Sequence, residues 1–336
     1  MKAWLQTGIG QFEERDVPRP RAGPGEVVVR VLAALTCGTD LKLLDRGHPK
    51  IPLPVTMGHE LTGEIAEVGE GVRAFRAGDR VVPGISGPCG GCSDCRAGRS
   101  NLCAEGHADR TWGAFAEYAR IPAGVVAANL HRKPEGLSDH VAAFLDPLAS
   151  VLHGWERLRE PSGTILLYGA GAIALLWAVT ARLRGMEVVV AGRRPERLAA
   201  AAALGAVVVD VQRRTSGLGP SHRRAPADVA VDCTGASEVW EKLPALVRRG
   251  GQVLLFGGCA PAARVCFDAS RLHYDEITLA GSFHYTPEEA RQALSLLARR
   301  EVDPEPLVTA TGSLADLRRF LDAHRRGEGI RYAILA

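Results

Sequence analysis

The sequence lacks any run of about 18 apolar residues that could cross a bilayer as a helix. Its opening segment, Met1-Lys2-Ala3-Trp4-Leu5-Gln6, turns polar before a signal-like apolar stretch can develop. It also lacks an excess of either charge: 41 Lys and Arg stand against 38 Asp and Glu, and the arginines are scattered rather than gathered in a tail. Neither nucleic acid nor a membrane is therefore an expected partner. No internal repeat is visible. These absences lead us to expect a soluble, cytoplasmic chain, where disulfides do not persist, so the eight cysteines call for metal ligation or simple burial.

What is present suggests two domains. A chain of 336 residues with 46% apolar composition can fill two cores. From Gly25 to about Val82, short strand-like runs (Val27 to Val31, Val81-Val82) are broken by Pro and Gly, a β-rich texture. After about residue 160 strand and helix signals alternate. Strands are expected at Thr164 to Tyr168, Glu187 to Ala191, Ala206 to Asp210, Val229 to Asp232 and Val253 to Phe256, with helices up to Arg184 and over Pro195 to Leu204. Such alternation predicts a parallel sheet covered on both faces. A polar loop or short helix is expected between Val211 and Ala227, then helices at Pro287 to Arg300 and Leu314 to Arg326, and a short apolar end at Tyr332 to Leu335.

Cys89, Cys92, Cys95 and Cys103 form Cys-x2-Cys-x2-Cys-x7-Cys in a polar, Gly-containing loop. Four thiolates brought together by short loops make a closed tetrahedral zinc site, which can staple a lobe with little core of its own. An iron-sulfur cluster accepts the same four ligands, but hydride chemistry needs no such relay. Buried free cysteines belong in apolar surroundings, which this loop does not provide.

Cys37, in Thr36-Cys37-Gly38-Thr39-Asp40, and His59, in Met57-Gly58-His59-Glu60, offer a thiolate and an imidazole in need of a third ligand. Asp146, a carboxylate within the apolar stretch Phe144-Leu145-Asp146-Pro147-Leu148, is the candidate, since burying an unpaired carboxylate is costly. Spacing alone leaves each of the three as readily an ordinary core or capping residue. A three-ligand site would keep one position open, where zinc could polarise a carbonyl or lower the pKa of a bound alcohol. Asp40 and Glu60 are placed to orient His59, and the Thr39 hydroxyl to pass on a proton.

Gly169-Ala170-Gly171-Ala172-Ile173-Ala174 follows the first apolar strand and opens a helix, reading as G-x-G-x-x-A. The first two glycines permit a tight turn and close approach of backbone amides to a pyrophosphate, and the third position needs only to be small. The second strand ends in Val190-Ala191-Gly192-Arg193-Arg194-Pro195, where an NAD site places an Asp or Glu for the ribose hydroxyls. Gly192 leaves room there, and Arg193 and Arg194 supply donors for a 2′-phosphate, which favours NADP over NAD; two solvated arginines at a loop are the plainer alternative.

Together these stretches resemble the zinc-containing medium-chain dehydrogenase/reductase family. Gly58-His59-Glu60-Leu61-Thr62-Gly63, continuing through Gly69 to Val72, is similar to its metal signature, the run from 89 to 103 to its structural zinc lobe, and Gly169 to Ala174 to its coenzyme loop. The resemblance implies a GroES-like β-rich catalytic domain over residues 1–147 and 283–336, around a Rossmann domain, a doubly wound parallel sheet, over 148–282. It further implies a site in the cleft between them, with Cys37, His59 and Asp146 as catalytic zinc ligands, two zinc ions per chain, and a homodimer or homotetramer. Glu60 falls on a carboxylate beside that metal and stands as an alternate ligand. Polyol- and threonine-dehydrogenase-like members carry a His five residues after the cysteine ligand, where this chain has Lys42, so proton release is assigned to Thr39 or to Lys42 itself. The expected reaction is hydride exchange between NADP and a secondary alcohol or ketone, with polyols and cyclitols favoured. Alternatives are an NADPH-dependent ketone reductase and a catalytically silent zinc- and nucleotide-binding sensor.

Overall fold

Val27–Leu35 (β3) is the chain's longest apolar strand, Val-Val-Val-Arg-Val-Leu-Ala-Ala-Leu, buried along nearly its whole length. β-Branched residues fit a pleated surface, and near-continuous burial means both faces are covered. The computed structural model describes residues 1–47, 51–212 and 226–336. Most of the stretch expected as a loop or short helix between Val211 and Ala227 lies outside the described residues. By its contacts the chain divides into two units, Met1–Ala149 with His284–Ala336, and Ser150–Phe283.

In the first unit, β1 (Lys2–Gly8), β2 (Gln11–Asp16) and β4 (Val55–Thr56) form an antiparallel sheet in the order β2-β1-β4. A seven-stranded sheet is built on β3. It contains β5 (Glu60–Val68), β6 (Arg80–Pro83), β7 (Tyr118–Ile121), β8 (Leu130–Arg132), β15 (Val308–Gly312) and β16 (Arg331–Leu335), in the order β15-β16-β3-β5-β6-β8, with β7 also paired to β3. Its core joins Val27, Val29, Leu61, Ile65 and Phe115 to Phe320 and Ile334 from the far end of the chain.

The second unit is a six-stranded parallel sheet of β9 (Thr164–Tyr168), β10 (Glu187–Gly192), β11 (Val207–Asp210), β12 (Ala227–Asp232), β13 (Val247–Leu255) and β14 (Thr278–Gly281). The order β11-β10-β9-β12-β13-β14 places the first strand centrally and winds outward in both directions, the doubly wound form, implied by the resemblance, of the parallel sheet that the alternating pattern predicts. β13 begins six residues before the expected run, through Arg248-Arg249-Gly250-Gly251, because Val247 already pairs with Ala227 across a register shift. β14 was not expected: four residues of modest hydrophobicity suffice for an edge strand with one neighbour. Among the described residues no helix is long and apolar enough to cross a membrane.

One side chain of the first unit's sheet has a measurable consequence. Burial, with the charge of Arg291 adding to it, pulls the His131 imidazole down to about 4, and its Nε2 lies 2.9 Å from the Asn129 Oδ1 that accepts from it. The unfolded chain takes up a proton below about pH 6.5 while the folded imidazole stays neutral, so stability falls as pH drops from about 6.5 to about 4. His131→Gln should flatten that decline by about 2 kcal/mol in denaturant titrations at pH 6.5 and 4.5. Parallel declines in the two proteins would remove His131 as the source.

Candidate active site

Just past β3, Cys37 serves as N-cap of the helix Gly38–Arg46 with an extended backbone (φ −129°, ψ 152°). Its Sγ accepts from the Thr39 amide at 3.5 Å, and Asp40 returns the favour by accepting from the Cys37 amide at 2.7 Å, a capping box in which the thiol takes the hydroxyl's role. His59 and Glu60 stand where β5 begins. Gly58, before them, has φ +86°, and a Cβ there would lie 2.8 Å from the Ala114 Cβ, so only glycine permits this entry. The result is that ligand atoms of Cys37, His59 and Glu60 all lie within 4.8 Å of one another.

His59 is 4% exposed, its Nδ1 3.5 Å from Asp40 Oδ1 and its Nε2 3.9 Å from Glu60 Oε1. A carboxylate behind one ring nitrogen fixes the ring and leaves the other as donor, the arrangement that metal-binding histidines adopt. Burial opposes charge on Cys37, but the Arg331 guanidinium and His59 outweigh it and bring the thiol down to about 6. Burial likewise opposes protonation of His59, and its hydrogen bonds to Asp40 and Cys37 overcome it, raising the imidazole well above its usual range. Burial, reinforced by the thiolate of Cys37, drives Glu60 well up against the pull of Arg331. A ready thiolate, an oriented imidazole and a carboxylate, all withdrawn from water, fit a zinc ion.

Arg331 was not anticipated. It opens β16, is 2% exposed, and places Nη1 2.9 Å from Glu60 Oε2 while donating to the Thr36 carbonyl. The available signal was a lone charge at the head of the apolar run Tyr332 to Leu335.

Asp146, expected as third ligand, does not fall within the Cys37, His59 and Glu60 group. Set in the helix Leu145–Trp155, it accepts a 2.7 Å hydrogen bond from the Tyr285 hydroxyl, which itself accepts from the Ile85 amide at 3.1 Å. Tyr285 is 2% exposed, and burial together with the charge of Asp146 holds its hydroxyl protonated far above its usual pKa. A carboxylate in this apolar stretch thus has a partner, which sequence reasoning missed because Tyr285 lies 139 residues away. Thr39 and Lys42 are exposed on the helix that Cys37 caps.

The sulfurs of Cys89, Cys92, Cys95 and Cys103 also lie within 4.8 Å of one another. Backbone amides aim at them: Cys89 and Gly106 donate to Cys103 Sγ at 3.4 and 3.3 Å, and Cys95 to Cys92 Sγ at 3.4 Å. Against burial, these amides bring Cys103 down to about 7, whereas burial and the neighbouring thiols push Cys95 up to about 12. Thiols this crowded, some already poised to ionise, fit a tetrahedral zinc ion.

In the second unit, Gly169 adopts φ +117° and a Cβ there would meet Cys233 and Thr234 at 3.2–3.3 Å. Gly171 caps the helix Ala172–Leu183 and faces open space, with Ile173 in the first turn, so backbone amides are approachable as a pyrophosphate requires. Arg193 and Arg194 follow β10 and are exposed. Gly192 has a packing reason of its own: a Cβ there would lie 2.8 Å from the Ala170 Cβ.

Residues 23–132 match the alcohol dehydrogenase GroES-like domain family and residues 172–299 the zinc-binding dehydrogenase family. The chain is 32% identical to a sorbitol dehydrogenase of Halalkalibacterium halodurans, over 98% of each protein. It is 36% identical to a D-altritol 5-dehydrogenase of Agrobacterium fabrum, over 84% of this chain and 83% of that one. A zinc-binding dehydrogenase from Sinorhizobium meliloti 1021, solved bound to NADP, superposes with a TM-score of 0.87 at 29% identity, covering 100% and 99% of the two chains. Similarity of this extent, joined to two thiol-containing metal-type clusters and a dinucleotide loop, makes the chain a member of the zinc-dependent medium-chain dehydrogenase family and a zinc-dependent, NAD(P)-linked alcohol dehydrogenase.

Proposed function

We propose that the enzyme oxidises a secondary alcohol of the polyol, sugar-alcohol or cyclitol class with NADP, holding one zinc ion at Cys37, His59 and Glu60 and a second at Cys89, Cys92, Cys95 and Cys103. The observation that carries this reading is the convergence of thiolate, imidazole and carboxylate within 4.8 Å. When bound there, zinc supplies Lewis acidity at the substrate oxygen. The protein's own groups do the positioning. Asp40 steadies His59, Arg331 offsets the charge of Glu60, and Asp146, aimed by Tyr285, accepts a substrate hydroxyl in place of serving as a zinc ligand. Thr39 and Lys42, exposed beside Cys37, carry the alcohol proton towards water.

The polyol class is supported by the relatives, whose names specify sorbitol and D-altritol. Preference for NADP is supported by Arg193 and Arg194, by the lack of an acid at the end of β10, and by the NADP bound to the Sinorhizobium protein. Replacing both arginines by alanine should raise KM for NADP by about 10- to 100-fold, the worth of charge-assisted hydrogen bonds to a phosphate, and leave KM for NAD nearly unchanged. An equal effect on both nucleotides would assign the arginines to the solvent. A nucleotide-coupled screen of polyols, cyclitols, amino alcohols and simple alcohols tests the substrate class, and turnover confined to simple alcohols would reject it.

A further inference from the structure

The first unit contains a cavity of about 620 Å³, a volume suited to a small metabolite, walled by Ile51, Pro54, Thr56, Trp112 and Tyr118 with Arg110 among them. None of Cys37, His59, Glu60 and Asp146 lines it, but two of its wall residues interact with them. Trp112 packs edge-on against His59 with ring centroids 5.5 Å apart, and Arg110 feels the charge of Asp146. Asp109 and Arg120, also in the lining, satisfy each other at 2.7 Å. Arg110 has no such neighbour. Its Nε donates to the His107 carbonyl at 3.1 Å, no carboxylate among the described residues comes within ion-pair distance, and its two terminal nitrogens have no hydrogen-bond partner there.

A guanidinium that spends one donor on a carbonyl and lines a cavity keeps its fork available to a ligand there. A planar fork matches a carboxylate or a phosphate. We infer that Arg110 binds an oxyanion on the substrate, so that the preferred substrate is a hydroxy compound bearing a carboxylate or a phosphate ester. This rests on the dehydrogenase reading above and narrows its substrate. The carbinol C–H bond breaks, the hydride with its two electrons passes to the nicotinamide of NADP⁺, and the hydroxyl proton leaves for water. The carbinol becomes a carbonyl, the nucleotide becomes NADPH, and the anionic group is unchanged, serving only to fix which carbinol is presented.

The zinc-loaded enzyme should be assayed with D-sorbitol, D-gluconate and D-sorbitol 6-phosphate, with binding of each followed in parallel by quenching of tryptophan fluorescence. One or both anions should exceed sorbitol in kcat/KM by about 10- to 100-fold, the worth of a charge-assisted pair. Arg110→Gln should raise KM for the anion by a similar factor with kcat little changed and sorbitol unaffected, and Arg110→Lys should recover part of it, as charge without the fork. Gluconate against the phosphate tells which oxyanion is read. Preference for sorbitol with no effect of Arg110→Gln overturns the inference and leaves the dehydrogenase reading intact. If none of the three is oxidised, quenching by the anions in the wild type but not in Arg110→Gln supports the oxyanion site while the polyol reading fails, and no quenching in either overturns it.

Discussion

Cys37→Ser should yield a folded chain that has lost one metal ion and nearly all activity, with kcat/KM lower by a factor on the order of 10³, since Lewis-acid stabilisation is worth several kcal/mol and each 1.36 kcal/mol is tenfold. The serine can still cap the helix Gly38–Arg46, because the Thr39 amide needs only an acceptor, so the fold is kept. Serine does not supply the thiolate that Arg331 and His59 hold ionised near neutral pH. Elemental analysis alongside a nucleotide-coupled assay and circular dichroism would check this. Cys95→Ser is the control: it should remove the other ion and lower thermal stability, because the loop from 89 to 103 has few buried apolar residues. A Cys37→Ser enzyme with full activity and unchanged metal would move the catalytic centre elsewhere.

In the metal-free protein, Arg331→Met should destabilise the fold by about 3–5 kcal/mol, the cost of leaving a buried carboxylate without its counter-charge. Both partners are almost fully withdrawn from water, Arg331 at 2% and Glu60 at 2%, and their charged atoms are 2.9 Å apart. Removing the carboxylate as well, in Glu60→Gln with Arg331→Met, should restore much of that stability, because a neutral pair has no charge to desolvate. It should not restore turnover. Denaturant unfolding followed by tryptophan fluorescence gives the midpoints, and a loss below about 1 kcal/mol in the single variant would show that Glu60 takes up a proton once Arg331 is gone.

Chemistry that is local in the sequence was legible there. The four-cysteine run closes on itself within a loop, and the glycine pattern of residues 169–174 is bounded by its own strand and helix, so spacing carries their geometry. The second unit's sheet was legible for the same reason in five of its six strands, each announced by an apolar run, while β14 was not. What remained hidden depends on distant partners. Asp146 meets the Tyr285 hydroxyl, and Glu60, read as a carboxylate beside the metal and an alternate ligand, meets Arg331, and nothing near either residue in the sequence marks these partners. Gly192 shows the converse: read as room for a phosphate, it also owes its identity to the Ala170 and Leu198 side chains packed against it. Composition could not reveal Arg110 either, since its distinction among many arginines is a missing partner.

The position of β16 in the seven-stranded sheet has a consequence for synthesis. Cys37, His59 and Glu60 leave the ribosome early, yet the guanidinium that neutralises Glu60 arrives on β16, after the whole of Ser150–Phe283 has been made. During that interval the emerging first unit holds a carboxylate bound for burial with no cation to meet it, and β3 exposes the edge that β16 will cover. The centre is therefore completed last, and a nascent chain stalled before residue 331 carries three of its polar groups without the one that lets them be buried together.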